Sequence, residues 1–199
     1  MMVDKRTAEL TGEEIVVWGY HGTTQERADA ILAHGQFRLS QNPWEWLGDG
    51  VYFWQDAPSR ALQWGSEWAA RTGEKVAVLR ARIRLGEGCL DLLDTDAAEL
   101  IWEYARHFGA KFPKGRPWPM NRSSGRHELD ATFFNWVALA LAGDGIAVTS
   151  IRAAIAEGEP LFEGSPIRRR SHVQIAVREP KFRPPDLCES PALTNPLHY

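Results

Sequence analysis

Residues 75–85, KVAVLRARIRL, give the clearest strand signal in this 199-residue chain. Apolar side chains fill every second position, and arginines fill three of the positions between them: Ala77, Leu79, Ala81, Ile83 and Leu85 against Arg80, Arg82 and Arg84. Because side chains alternate between the two faces of a strand, this pattern predicts a strand with one face against a core.

The segments before this strand predict two strand–helix pairs. Residues 15–20, IVVWGY, are β-branched and aromatic and predict a strand that ends at Tyr20-His21-Gly22. Thr23 and Glu26 have the spacing of a capping box, so a helix is expected to start there and to end at Gly35.

The second pair follows a loop over residues 40–50. Residues 51–54, VYFW, predict a short strand. We expect Asp56 to cap the next helix, with Pro58 in its first turn and its end at Gly73.

The second half of the chain adds two helices and two strands. Helical periodicity covers residues 96–108 and 129–141, strand candidates are residues 146–151 and 171–178, and residues 109–127 predict a long loop. No glycine-rich dinucleotide fingerprint follows any strand, so we predict an α+β fold. We expect one domain over residues 1–180 and an extended or disordered proline-rich tail over residues 181–199.

Composition excludes several classes of protein. With 44% hydrophobic and 25% charged residues and a net charge of −3, the chain is of ordinary globular type and has no overall basic field for nucleic acid or membrane. No apolar run approaches the ~20 residues that span a bilayer, and residues 1–10 are too polar for a secretory signal. The two cysteines form no disulfide framework and no zinc quartet. We therefore expect a cytoplasmic protein with no metal and no membrane partner.

Three separated motifs place polar groups on or beside strands. They are Tyr20-His21-Gly22-Thr23, Gly48-Asp49-Gly50-Val51-Tyr52-Phe53 and His172-Val173-Gln174-Ile175-Ala176-Val177. An unpaired buried polar group costs about 1–3 kcal/mol, so each of these groups needs a partner or a function.

Together and in this order, the motifs resemble those of the ADP-ribosyltransferase superfamily, most closely the branch of diphtheria toxin and the poly(ADP-ribose) polymerases. That branch is marked by His-Gly-Ser/Thr, by Gly-x-Gly-[Ile/Val]-Tyr-Phe and by a third strand with Glu or a substitute. The resemblance covers about the first seventy residues and residues 171–177. It implies a split, mostly antiparallel β core flanked by helices, and NAD as co-substrate.

The resemblance also implies roles for single residues. Gly22 would clamp the nicotinamide carboxamide through its backbone, and His21, with Thr23 beside it, would bind the ribose next to the adenine. Tyr52 would stack on the nicotinamide ring, an arrangement that suits an aromatic side chain. Trp64 on the following helix would form the second wall, with Gln63 as the off-by-one alternative, and Trp46 lies in the loop that would cover NAD.

The third motif departs from the family's usual glutamate and is similar to that of a bacterial subgroup with Gln at this position. Gln174 can accept a hydrogen bond from a ribose hydroxyl, but it supplies no charge and no base. This argues against chain elongation and leaves mono-transfer, slow glycohydrolysis or an inactive binder, of which we expect mono-transfer. The resemblance makes His21, Tyr52 and Gln174 the predicted catalytic residues.

Several alternatives remain open at the level of sequence. The chain could be an inactive NAD- or ADP-ribose-binding module, or an RNA 2′-phosphotransferase-like enzyme. The acceptor could be a protein or a nucleic acid, and the basic residues 109–127 and Arg168–Arg170 are candidate phosphate contacts. By analogy with the superfamily, the role could be that of a bacterial toxin or defence effector with an antitoxin partner.

Overall fold

The strand predicted at residues 75–85 forms, as one of two ten-residue strands, part of a seven-stranded sheet. A computed structural model describes residues 15–86, 88–122, 125–182 and 185–191. The strands are β1 (Ile15–Thr24), β2 (Val51–Gln55), β3 (Val76–Leu85), β4 (Cys89–Asp91), β5 (Asn121–Arg122), β6 (Arg126–His127), β7 (Ser150–Ile155), β8 (His172–Val177) and β9 (Leu187–Glu189). The helices are α1 (Gln25–His34), α2 (Pro58–Thr72), α3 (Thr95–Lys111) and α4 (Glu128–Gly143).

The sheet is mostly antiparallel, which confirms the predicted α+β class. Its strand order is β4-β7-β8-β2-β1-β3-β9, and β4 with β7 is the parallel pair within it. β5 and β6 form a separate two-stranded hairpin. β1 and β3 pair along their full lengths, from Ile15 opposite Leu85 to Thr24 opposite Val76.

Alternating side chains build apolar clusters on both faces of this sheet. One face carries a cluster that includes Phe53, Leu79, Ile83 and Ile175, packed against α1 residues such as Ala28. On the other face, α2 covers β1 and β3, whereas α3 and α4 cover β7, β8 and β2. The Tyr52, Trp54 and Gln174 side chains of the candidate site lie on this second face, where α2 gives way to the two other helices. The His21 ring lies on the first face, against Phe37 and Phe53.

The junction of β1 and β2 is narrow. Two residue pairs join these strands, Gly19 with Gln55 and Tyr20 with Trp54, whereas β2 and β8 share four pairs. Beyond Tyr20 the two strands separate, so the residues of the first motif lie at the opening between the halves of the sheet.

Several predicted boundaries were wrong. β1 continues through His21, Gly22 and Thr23, because its pairing with β3 extends past the glycine. The residue at the N-cap of α1 is Thr24, without a side-chain capping bond, so the predicted capping box of Thr23 and Glu26 does not form. Asp56 is not the cap of α2; Ala57 precedes the helix, and Asp56 adopts a left-handed turn with φ of +49°.

Other predicted ends were confirmed. Gly35 and Gly73 follow α1 and α2 in the left-handed conformation, and Pro58 is the first residue of α2.

Two further elements differ from their predicted bounds. The strand predicted over residues 146–151 lies further on, at β7, and α3 continues to Lys111, into the predicted loop of residues 109–127.

Part of the predicted tail packs with the rest of the molecule. Phe182 and Leu187 are buried in the cluster of the α1 face, and β9 pairs with β3. The packed core therefore extends past residue 180. Residues 183–184 and 192–199 of that tail, and the polar residues 1–10, lie outside the described part. Within the described residues, no helix has both the length and the apolarity to cross a membrane.

Candidate functional site

His21 lies where the ladder between β1 and β2 stops. Continuing the register of the two pairs would place His21 opposite Phe53 and Gly22 opposite Tyr52. Instead, the imidazole Nδ1 lies 2.9 Å from the carbonyl oxygen of Tyr52, and its ring packs edge-on against Phe37. The His21 side chain thus bonds to a backbone carbonyl group of β2 at the point where the backbone pairing of β1 with β2 has ended.

The same contact fixes the protonation of His21. Because a carbonyl oxygen only accepts hydrogen bonds, Nδ1 must carry the proton. Burial lowers the pKa of His21, so the ring is neutral near pH 7 and Nε2 keeps its lone pair. That nitrogen can accept a hydrogen bond from a hydroxyl group, as the predicted ribose contact requires.

Gly22 is the point of closest approach between β1 and α2. A Cβ added to Gly22 would lie 1.9 Å from the carbonyl oxygen of Ala61, and one on Gly65 would lie 3.0 Å from the amide nitrogen of Thr23. Glycine is therefore required here for packing alone. The Thr23 side chain is buried on the opposite face, since Thr23 pairs with Ala77 of the α1-side cluster. The contact at Gly22 brings the first motif against the helix that carries Trp64.

Tyr52 has a fully satisfied hydroxyl. It donates to the carbonyl oxygen of Gly48 at 2.6 Å and accepts from the amide of Leu47 at 3.0 Å. The side chain is 5% exposed, and burial raises the pKa of Tyr52 well above its usual value. The structure thus places the ring under the loop before β2, where it fastens that loop to the sheet.

The loop over Tyr52 contains a buried carboxyl group. Ser40 donates to Glu45, and the amide of Asn42 donates to the Ser40 hydroxyl at 2.7 Å. Burial raises the pKa of Glu45 to about 7, and the bond from Ser40 opposes that shift. The predicted lid residue Trp46 stacks on His127 with ring centroids 3.4 Å apart, so it joins the loop to β6.

Gln174 lies opposite Trp54 in the pairing of β8 with β2. Both side chains are buried, at 6% and 4% exposure. Neither the Oε1 atom of Gln174 nor the indole Nε1 of Trp54 has a hydrogen-bond partner among the described residues. One unpaired acceptor and one unpaired donor therefore lie side by side on the same face.

His172 and Arg60 add two further unpaired atoms. His172 precedes Gln174 by two residues, on the same face of β8, and its Nδ1 lies 2.7 Å from the carbonyl oxygen of Arg170. Nε2 is buried without a partner in the described chain, and burial lowers the pKa of His172. The Nε of Arg60 is unpaired in the same way, although its Nη2 lies 2.6 Å from Glu157.

Trp54, Arg60, His172 and Gln174 form what we call the polar cluster. The ring centroids of Trp54 and His172 are 6.3 Å apart, and those of Trp54 and Trp64 are 5.9 Å apart. Trp64 is 36% exposed, so one aromatic ring borders the cluster with a free side. Gln63, the alternative to Trp64, accepts a hydrogen bond from Arg60 instead.

The structure brings some of the predicted site residues into contact with neighbouring elements of the site and places others in the loop before β2. The backbone of Tyr52 meets His21, Gly22 meets α2, and Gln174 meets Trp54, whereas the Tyr52 ring and Trp46 belong to the loop network. Arg60 and His172 were missed as site residues. Period-two spacing from Gln174 could have identified His172, and i, i+4 spacing from Trp64 could have identified Arg60.

Such a set of groups can bind a neutral, hydroxyl-rich ligand. Two acceptors, Gln174 Oε1 and His172 Nε2, and two donors, Trp54 Nε1 and Arg60 Nε, match the donor and acceptor capacity of sugar hydroxyls. The described residues contain no cluster of three or more His, Cys, Asp or Glu side chains suited to a metal ion. No protein-family model matches the chain, and no curated protein matches it either.

Proposed function

We propose that the chain is an NAD-dependent mono-ADP-ribosyltransferase whose reacting ribose binds at the polar cluster. The observation that carries this proposal is the convergence of four unpaired buried polar atoms on one face of the sheet. Each costs about 1–3 kcal/mol without a partner, so a bound ligand that pairs them is favoured over the ligand-free state.

In this proposal the residues around the cluster have separate tasks. Gln174 accepts a hydrogen bond from a hydroxyl of the reacting ribose, and Trp64 supplies an aromatic wall for the nicotinamide. His21 accepts from the ribose next to the adenine. The exposed side chains of Arg168–Arg170 are separated from His172 only by Ser171 in the chain and suit the diphosphate.

His172 provides the proton acceptor that Gln174 lacks. An acceptor hydroxyl gives its proton to Nε2 of His172 while its oxygen forms a bond to C1′ of the ribose. The bond from C1′ to the nicotinamide nitrogen breaks, and nicotinamide leaves as a neutral ring with the bonding electron pair. A neutral imidazole with Nδ1 already protonated is prepared for this step.

A binding module for NAD or ADP-ribose is the second candidate, because Gln174 brings no negative charge to the site. The RNA 2′-phosphotransferase alternative has less support, since two arginines on the elements around the polar cluster are held by carboxylates and are not free to bind a phosphate. Arg60 is paired with Glu157, and Arg152 with Asp91 at 2.8 Å. A toxin role, an antitoxin partner and a cytoplasmic location stay predictions.

Labelled NAD separates the two main candidates. With NAD labelled in the nicotinamide and in the adenosine, an enzyme releases nicotinamide and transfers label to an acceptor, and His21→Ala abolishes both signals. Gln174→Glu is expected to raise turnover about tenfold, because a charged acceptor forms the stronger hydrogen bond. Gln36→Glu, at an exposed position, is the matched control. Binding without turnover in every variant would favour the module, and no binding would reject both.

A further inference from the structure

A stretch of strongly positive charge lies apart from the polar cluster. Between Glu103 and Glu128 the chain has no acidic residue but six basic ones: Arg106, Lys111, Lys114, Arg116, Arg122 and Arg126. With a net charge of −3 overall, the rest of the chain carries −9. The segment from the end of α3 to the start of α4 is therefore net positive, whereas the rest of the chain is net negative.

This segment borders an aromatic groove. The groove has a volume of about 560 Å³, within the range of small-molecule clefts. Its walls come from the end of α3, the loop over residues 112–120 and the first turns of α4. The lining includes Phe112, Trp118, Met120, Trp136, Arg116 and Arg122.

Trp118 is a rigid and accessible platform in this groove. Its side chain is 48% exposed, although its ring lies 4.8 Å from that of Phe112 and 5.5 Å from that of Phe108. Pro117 and Pro119 flank it and restrict the backbone on both sides. Little ordering is needed before a flat ligand stacks on the indole.

The cations beside this platform are free to bind a ligand. Among the described residues, no ion pair involves Arg116 or Arg122, and both are exposed. Glu128, the acidic residue of the lining, is paired with Arg126. The groove thus combines a stacking surface with uncompensated positive charge.

We propose that this groove binds a single-stranded nucleic acid. Unpaired bases stack on exposed aromatic rings, and arginines contact the phosphates between them, whereas a duplex keeps its base faces covered. An acidic peptide would satisfy the arginines but would leave Trp118 unused. The inference goes beyond the proposed function and does not depend on NAD.

The groove is also physically connected to the loop before β2. The amide of His127, at the end of the β5–β6 hairpin, donates to the carbonyl oxygen of Pro43 at 2.6 Å, and its ring stacks on Trp46. The hairpin that borders the groove is therefore joined to the same loop that covers Tyr52. Should the proposed function hold, a nucleic acid is the acceptor class that this surface presents.

Binding of labelled oligonucleotides to the full chain, measured by fluorescence anisotropy without NAD, tests the inference. A single-stranded oligonucleotide of 12 nucleotides should bind more tightly than a duplex of equal length, and its affinity should fall as the salt concentration rises. Trp118→Ala should weaken binding about 5- to 100-fold. The double variant Arg116→Ala/Arg122→Ala should reduce the slope of log affinity against log salt by about 1.4.

Matched controls lie outside the groove. Phe162→Ala removes an exposed aromatic ring, and Arg38→Ala an exposed cation, and neither should change binding. Thermal unfolding verifies that each variant is folded. If Trp118→Ala does not fold, the double variant Arg116→Ala/Arg122→Ala still tests the proposal. Equal binding of duplex or polyglutamate would overturn the proposal. Absence of binding, with sedimentation showing self-association that Trp118→Ala abolishes, would instead assign the groove to a second copy of the chain.

Discussion

Tyr52 and Gln174 lie on neighbouring strands and face the same side of the sheet, but their polar atoms differ in whether they have hydrogen-bond partners. The Tyr52 hydroxyl has two partners from the loop that covers it, whereas the Gln174 carbonyl oxygen has none in the described chain. Burial alone therefore does not distinguish a structural polar group from a ligand-binding one. The distinction lies in whether the protein itself completes the hydrogen bonds.

The first prediction addresses the reactive end of the polar cluster. His172→Gln keeps a hydrogen-bonding side chain without a base, so transfer should fall at least about 100-fold. The Km for NAD should change much less than kcat, since the ribose contacts remain. Initial rates with labelled NAD measure both parameters.

Its control is His34→Gln at the exposed end of α1, which should leave both parameters unchanged. Because burial lowers the pKa of His172, the wild-type rate should lose this base only as pH falls below the usual histidine range near 6.5. Transfer that survives in His172→Gln would show that the polar cluster does not supply the base through His172.

The second prediction uses the pH dependence of the loop over Tyr52. The pKa of Glu45 is raised to about 7, above the ordinary value of 4.5, so the folded protein prefers the protonated carboxyl. This contribution to stability is complete below about pH 4.5 and is lost as pH rises through about 7, with a slope of at most about 1.4 kcal/mol per pH unit.

Glu45→Gln should flatten this dependence, because an amide does not titrate. Urea unfolding between pH 5 and pH 8 measures the difference, and Glu67→Gln at an exposed position is the control. Parallel curves for wild type and Glu45→Gln would contradict a buried, protonated Glu45.

The third prediction tests the hydrogen bonds of the Tyr52 hydroxyl directly. Tyr52→Phe removes the hydroxyl and leaves the Leu47 amide and the Gly48 carbonyl without their partner. The free energy of unfolding should fall by about 1–3 kcal/mol. Tyr104→Phe is the matched control, because its hydroxyl bonds to Asp144 at the exposed surface. A loss no greater than that of the control would show that the Tyr52 bonds do not secure the loop.

The fourth and smallest effect has the opposite sign. Gln174→Leu replaces a buried amide whose Oε1 atom is unpaired with an apolar group of similar size, so the ligand-free protein should gain up to about 1 kcal/mol. Denaturant titration measures the gain, and Gln36→Leu at an exposed position should show none. Destabilisation by Gln174→Leu would mean that the amide has a structural partner after all.

The local sequence predicted the elements whose signals are short-range. The period-two strand of residues 75–85, the helix ends at Gly35 and Gly73, and the short strand of residues 51–54 each depend on a few neighbouring residues, and each was confirmed. The α+β class followed from the same signals. The ADP-ribosyltransferase resemblance, carried by His21, Tyr52 and Gln174, stays a prediction.

Long-range pairing decided the rest. β1 continues through Gly22 because β3 offers ten paired positions, which overrides the local signal for a strand end. The polar cluster joins Arg60 on α2 to Glu157 and His172, more than 90 residues away along the chain. Whether the Tyr52 hydroxyl is satisfied and the Gln174 oxygen is not depends on which backbone atoms the fold brings within 3 Å. That is a property of register and packing, so residue types alone do not specify it.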